Sequence, residues 1–201
     1  MPRGELKMKT IYQRLDEIIP KITDKSFREN MGLGNEMGYY IFDYEPKYEL
    51  LVRDHIEFIK QKISDEYSDI HIKEFDLYEI ILEVMNKKGY LQKNIEMEKK
   101  KGSKYVFNAI RKSLRLTLKN DMVLSYIVNR VEPNDIVFIT GVGKAWPIMR
   151  SHTVLNNLHN VIDQVPVVMF FPGEYDGLEL ILFNEIKDDN YYRAFQLIDK
   201  Y

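Results

Sequence analysis

The segment VPVVMFF, from Val165 to Phe171, is apolar at every position. Because successive side chains of a β-strand point to opposite faces of the sheet, both faces of this strand need an apolar cover. Strands of this kind lie inside mainly parallel sheets, where helices cover both faces. The segment therefore predicts an α/β protein with this strand at the centre of its sheet.

The order of the other elements agrees with this prediction. Short segments rich in β-branched and aromatic residues predict further strands at Tyr39–Tyr44, Ile70–Leu77, Asp135–Thr140 and Leu178–Ile186. Apolar residues that recur every three or four positions predict helices over 8–24, from Pro46 to about Ile63, from Leu77 to Lys88, from a capping Ser103 to about Arg130, from about Ile148 to Ile162, and from Tyr191 to Ile198.

The alternation of strands and helices predicts a mainly parallel sheet of about five strands with helices on both faces. The loop PGEYDG between the last two strands is short, so these two strands should form an antiparallel hairpin. We expect a single three-layer α/β domain over residues 8–201, preceded by a frayed leader at residues 1–7.

Composition excludes several classes of function. The 201 residues include no cysteine, which rules out disulfides and cysteine-based metal or catalytic sites and is consistent with a reducing cytoplasm. The net charge of −2 does not by itself indicate nucleic acid as a partner. The longest purely apolar run, Val167–Phe171, is far below the roughly 20 residues that span a bilayer, so we expect no membrane contact.

The stretch ITGVGKAWP has the composition of a phosphate-binding loop but not its spacing. A Walker loop needs four residues between its glycines and a hydroxyl side chain after its lysine. Here one residue separates Gly141 from Gly143, and Ala145 follows Lys144. We expect a tight strand-to-helix turn in which both glycines permit positive φ and Trp146 plugs the end of the sheet. A degenerate nucleotide-binding domain of P-loop-like element order is the alternative; we predict no cofactor.

The carboxyl ends of the third and fourth predicted strands should meet at one edge of the sheet, where ligands of open parallel sheets bind. The polar and aromatic residues expected at this strand-end cleft are Lys144, Trp146, Arg150, His152, Glu174, Tyr175 and Asp176. One interpretation pairs His152 with Glu174 or Asp176 for general base catalysis; the other has Arg150 and the acids hold two loops together. We predict no catalytic residue, and no metal site, because His152 and His159 are seven positions apart rather than four.

A second candidate surface is strongly basic. Residues Lys99 to Lys119 include eight basic side chains and no acid. On one continuous helix, a ridge would be formed by Lys104, Arg111, Arg115 and Lys119, with Lys112 beside them. Such a ridge is suited to DNA phosphates or to an acidic protein, and no sequence motif for reading bases accompanies it.

The strings ITGVGKAWPIMRSHTVLNNL, VPVVMFFPGEYDGLELILF and DDNYYRAFQLI resemble the BrxB family of bacterial BREX phage-defence systems, most strongly over Asp135 to Ile198. The resemblance implies a cytoplasmic, non-enzymatic component that works beside an ATPase, an alkaline-phosphatase-like protein and an adenine-N6 DNA methyltransferase. It carries over no catalytic residue. The expected function is that of an adaptor that binds other BREX proteins, with DNA-backbone binding by the basic helix as an alternative.

Overall fold

The sheet is open and its main strands are parallel. The computed structural model describes residues 7–28, 38–116, 118, 121–159, 161–188 and 194–201. Its strands are β1 (Tyr39–Tyr44), β2 (His71–Asp76), β3 (Asp135–Thr140), β4 (Val167–Tyr175), β5 (Leu180–Leu182), β6 (Ile186–Asp188) and β7 (Phe195–Gln196). Strands β2, β3, β4, β1 and β7 lie side by side in that order, all parallel, and β4 is central among them. The predicted α/β fold class is confirmed.

Helices cover both faces of the sheet. They are α1 (Ile11–Asp16), α2 (Ile18–Thr23), α3 (Lys25–Arg28), α4 (Glu49–Glu66), α5 (Leu77–Lys87), α6 (Leu91–Lys101), α7 (Ser103–Leu114), α8 (Met122–Val128), α9 (Val142–Ala145) and α10 (Ser151–His159), with a 3₁₀ turn at Pro46–Tyr48. Helices α1 to α4 bury their apolar residues on one face, and α5 and α7 to α10 bury theirs on the other. Helix α6 contacts α5 and α7 and buries no residue completely.

The central strand divides its side chains between two hydrophobic cores. Val167, Met169 and Phe171 belong to the core beneath α5 and α7 to α10. Val168 and Phe170 belong to the core beneath α1 to α4, where the Phe170 ring lies 5.0 Å from that of Phe138. The continuous apolar run of this strand is thus explained by burial on both faces.

The predicted first helix is divided. Glu17 lies between α1 and α2, as the C-cap of the first helix and the N-cap of the second. Proline has no N–H to donate, and its ring conflicts with the carbonyl group four residues earlier. Pro20 therefore disfavours a continuous helix through Asp16, although the apolar spacing runs on without interruption.

The predicted long helix from Ser103 to Arg130 is wrong, because it consists of α7 and α8. Helix α7 ends at Leu114, and Arg115 has φ 56° and ψ 36°, which is left-handed backbone. Helix α8 has its own start, where the carboxylate of Asp121 accepts hydrogen bonds from the backbone N–H groups of Val123 and Leu124. Ser103 is not the N-cap of α7; Gly102 holds that position.

The C-terminal region differs more from the sequence prediction. The expected strand Leu178–Ile186 is divided into β5 and β6 by a turn in which Phe183 and Asn184 have φ of 57° and 60°. Strand β5 pairs antiparallel with the end of β4, as the hairpin prediction required. The helix predicted at Tyr191–Ile198 is wrong where it can be compared, because β7 pairs parallel with β1. Residues 191–193 lie outside the described residues, as do residues 1–6 of the expected leader.

Among the residues that the structure describes, no helix is both long enough and apolar enough to cross a membrane.

Replacing Phe138 by alanine should test the core beneath α1 to α4. The side chain is completely buried against Phe170, so the change should lower the free energy of unfolding by about 3 to 5 kcal/mol. Phe58→Ala is the control, because Phe58 is 51% exposed and its loss should cost about 1 kcal/mol or less. Urea denaturation followed by circular dichroism measures both, and similar losses in the two variants would contradict this account of the core.

Candidate functional site

The carboxyl end of β1 carries a buried carboxylate. Asp43 is 1% exposed, and its side-chain oxygens accept hydrogen bonds from donors in distant parts of the chain. The donors are Arg14 Nη2 at 2.8 Å, Lys200 Nζ at 2.6 Å, Gln196 Nε2 at 3.0 Å and the backbone N–H of Tyr175 at 3.0 Å. We call Asp43, Arg14, Lys200 and Gln196 the Asp43 cluster.

The Asp43 cluster was missed by the sequence prediction. Aspartate is disfavoured inside strands, so an acid within the aromatic strand YYIFDY was a usable signal of a buried polar contact. The partners gave no comparable signal, because Arg14 lies in a helix 29 positions earlier and Lys200 lies near the other end of the sequence.

Lys144 and Gly141 meet a different carboxylate, that of Asp76 at the end of β2. Lys144 Nζ lies 2.5 Å from Asp76 Oδ2. Asp76 Oδ1 also accepts hydrogen bonds from the backbone N–H groups of Tyr78 and Glu79, so the residue caps α5. Gly141 has φ 69°, and a Cβ atom there would lie 2.2 Å from Asp76 Oδ1. The Asp76 carboxylate therefore lies directly against this loop.

Gly143 serves a different purpose from the one that we predicted. It lies within α9, and a Cβ atom there would lie 2.9 Å from Phe183 Cε1 and 3.2 Å from Pro172 Cγ. The glycine thus leaves room for the hairpin that follows β4. Trp146, which we expected to plug the end of the sheet, is 40% exposed. That prediction was wrong, since Phe183 and Pro172 pack closely against the loop instead.

The structure does not bring together the residues of the predicted strand-end cleft. Glu174 is exposed, whereas Tyr175 is buried and its hydroxyl donates to the carbonyl of Ala194 at 2.6 Å. Asp176 accepts hydrogen bonds from the backbone N–H groups of Glu179 and Leu178, which lower the pKa of its carboxyl. Arg150 lies beside Arg111 and Lys112 of α7, and the side chain of His152 lies outside the described part of the structure.

Within the described ranges, histidine, aspartate and glutamate side chains do not gather in any group of three or more that could hold an ion.

The basic residues form a pocket rather than a ridge. The last turn of α7, the chain that follows it and the start of α10 line an open depression of about 460 Å³. We call this the basic pocket; its cations are Arg111, Lys112, Arg115 and Arg150, and its apolar wall is formed by Leu116, Leu118 and Ile148. Of the other predicted ridge residues, Lys104 is exposed on α7 away from the pocket and Lys119 lies outside the described residues.

The cations of the basic pocket have different roles. Arg111 is half-buried; its Nε donates to the carbonyl of Ile148 at 3.1 Å, and its Nη2 donates to the carbonyl of Pro147. It therefore holds the chain after α9 against α7. Lys112, Arg115 and Arg150 are exposed, and none of them forms an ion pair with an acid in the described part of the chain.

The sequence of this open, mainly parallel α/β protein is similar to the sequences of known proteins. A family model described as BREX protein BrxB matches residues 73–197. A BREX protein BrxB of Bacillus cereus (strain H3081.97) is 68% identical over 193 residues, which cover 96% of this chain and 100% of the relative. A BREX protein BrxB of Escherichia coli O9:H4 (strain HS) is 32% identical over 187 residues, 92% and 90% of the two chains. The chain belongs to the BrxB family of BREX proteins. No solved structure matches it.

Asp43→Asn should destabilise the fold by about 3 to 5 kcal/mol, because it leaves the buried Arg14 and the largely buried Lys200 without a balancing charge. Glu45→Gln is the control, since Glu45 and its partner Lys47 are both exposed and such pairs contribute about 0 to 1 kcal/mol. Chemical denaturation measures the two variants. A loss below about 1 kcal/mol for Asp43→Asn would show that the Asp43 cluster does not hold the fold.

Gly141→Ala should also destabilise the fold, by more than Gly89→Ala. Both glycines have positive φ, but a Cβ atom at Gly89 meets nothing within 4 Å, whereas one at Gly141 meets Asp76. Gly89→Ala therefore measures only the free-energy cost of placing alanine at positive φ, about 1 kcal/mol. Any additional loss of unfolding free energy in Gly141→Ala measures the effect of the close approach of Asp76. Equal melting temperatures for the two variants would mean that Asp76 can move away without cost.

Proposed function

We propose that this protein is a non-enzymatic adaptor of a bacterial BREX anti-phage system, acting in the cytoplasm by binding another BREX protein. The candidate partners are the ATPase, the alkaline-phosphatase-like protein and the adenine-N6 methyltransferase of the system. The observation that carries the proposal is the basic pocket, whose exposed cations Lys112, Arg115 and Arg150 have no acidic partner among the described residues.

Exposed like charges close together repel one another, and an anionic partner removes that cost. Trp146 supports an interface at this place. It is 40% exposed and directly precedes Pro147, whose carbonyl group Arg111 holds. Tryptophan and arginine are enriched among the residues that dominate binding energy at protein interfaces.

The two alternatives are less well supported. Nucleotide binding at the glycine loop would require Lys144 to leave Asp76 and a phosphate to approach the Asp76 carboxylate. DNA-backbone binding is consistent with the cations of the basic pocket but would leave its apolar wall without a contact. DNA binding would be recognised by a steep loss of affinity as salt is raised.

The proposal is tested by co-expressing the tagged protein with the other components of its BREX system. We expect at least one of the three candidate partners to co-purify with the wild-type protein. Failure of all three to co-purify, in cells that resist phage, would contradict the adaptor function. Retention of a DNA duplex instead, lost as salt is raised, would favour the DNA-backbone alternative.

The double charge reversal Lys112→Glu with Arg150→Glu should abolish co-purification and phage resistance. Both side chains are exposed, so the free energy of unfolding should change by about 1 kcal/mol or less. The matched control is Lys93→Glu with Lys104→Glu, which makes the same charge change at exposed positions outside the basic pocket. Arg111 is unsuitable for this test, because its contacts with Pro147 and Ile148 make it structural. Full phage resistance in the well-expressed pocket variant would mean that the pocket is not the docking surface.

A further inference from the structure

The backbone of the basic pocket contains an unfavourable feature at one of its cations. Arg115 follows the last residue of α7 with φ 56° and ψ 36°. This left-handed position at a helix end is usually occupied by glycine, or by asparagine, because other side chains are strained there. Backbone strain that glycine would relieve is a reason to look for a function of the arginine side chain. The side chain of Arg115 lines the basic pocket and is exposed.

The walls of the pocket are not purely basic. Leu116, Leu118 and Ile148 lie among the cations, and Leu118 is 58% exposed. Phosphates would pair with the cations but would make no use of the exposed leucine. It is well suited to an apolar side chain of a partner, since burying that side chain removes both apolar surfaces from water.

We propose, building on the adaptor function above, that the basic pocket binds an acidic peptide segment of the partner protein that carries an apolar anchor residue. Carboxylates of the segment pair with Lys112, Arg115 and Arg150, and the anchor side chain packs against Leu116, Leu118 and Ile148. Arginine suits this role because its planar guanidinium binds a carboxylate through two parallel hydrogen bonds.

The size of the pocket favours a peptide over nucleic acid. A space of about 460 Å³ lies within the range of sites that hold a small ligand or a few side chains. A DNA duplex would meet the exposed cations of the depression but would leave its apolar residues without a contact. Duplex DNA is therefore the competing outcome of the test rather than part of the proposal.

The test uses the purified full chain and a fluorescent peptide in which glutamate and leucine alternate, measured by fluorescence anisotropy. We expect saturable binding to the wild-type protein and weaker binding of a peptide with serine in place of leucine. Arg115→Gly and Arg115→Asn should weaken binding by at least about tenfold, as expected for loss of a charged contact. Lys104→Ala, which removes an exposed cation on the same helix outside the pocket, should leave binding unchanged.

The same variants separate binding from stability. Because glycine relieves the left-handed strain, Arg115→Gly should raise the melting temperature by about 2 to 4 °C while it loses the peptide. Arg115→Asn should lose the peptide without unfolding, which keeps the test valid if glycine loosens the helix end.

Two results would overturn the proposal. One is equal affinity of the leucine and serine peptides, or full binding by both Arg115 variants. The other is tight binding of a short DNA duplex that peptide does not displace. If BREX proteins still co-purify with the Arg115 variants, the adaptor function stands and only the acidic-segment proposal fails. If no BREX protein co-purifies even with the wild type, the adaptor function itself fails.

Discussion

The ion pairs and hydrogen bonds of Asp43 link the parts of the chain that meet at the carboxyl end of β1. An isolated buried carboxylate is strongly unfavourable, so the fold must bring cations and hydrogen-bond donors to it. Arg14 comes from α1, Lys200 from the end of the chain, and the backbone N–H of Tyr175 from the end of β4. The Asp43 cluster therefore fixes where α1, β4 and the last residues lie relative to β1. It also places β7 beside β1, because Gln196 donates to the same carboxylate.

The parts of the fold that the sequence predicted are those in which a short segment determines its own environment. The run from Val167 to Phe171 needs cover on both faces, and this requirement alone implies a sheet between two layers of helices. The parts that were missed depend on distant residues. Phe195 and Gln196 form a strand because β1 has a free edge beside them. Helix α7 stops at Leu114 although the apolar spacing continues, since the spacing cannot show that Arg115 is left-handed.

In the candidate site, too, the features that were predicted depend on neighbouring residues, and those that were missed depend on residues distant in the sequence. Gly141, Gly143 and Lys144 resemble a phosphate loop by composition, and their spacing argued against one. Their actual roles follow from Asp76 and Phe183, which lie 65 positions before Gly141 and 40 after Gly143 in the sequence. Likewise, the predicted ridge of Arg111, Arg115 and Lys119 assumed one continuous helix. In the structure, Arg111, Lys112 and Arg115 lie beside Arg150, which comes from a distant part of the sequence. The four residues therefore line a pocket and do not form a ridge along one helix.

Two groups of cations in the protein differ in their pairing. Arg14, Lys200 and Lys144 are paired with Asp43 and Asp76, and these contacts stabilise the carboxyl edge of the sheet. The cations of the basic pocket lack such partners in the described part of the chain, although the sequence has 31 acidic residues for 29 basic ones. A shortage of acids does not explain this difference; the acids lie elsewhere. In the described part of the chain the cations at the sheet edge are paired and those of the basic pocket are not, and this contrast supports the proposed binding of an anionic partner at the basic pocket.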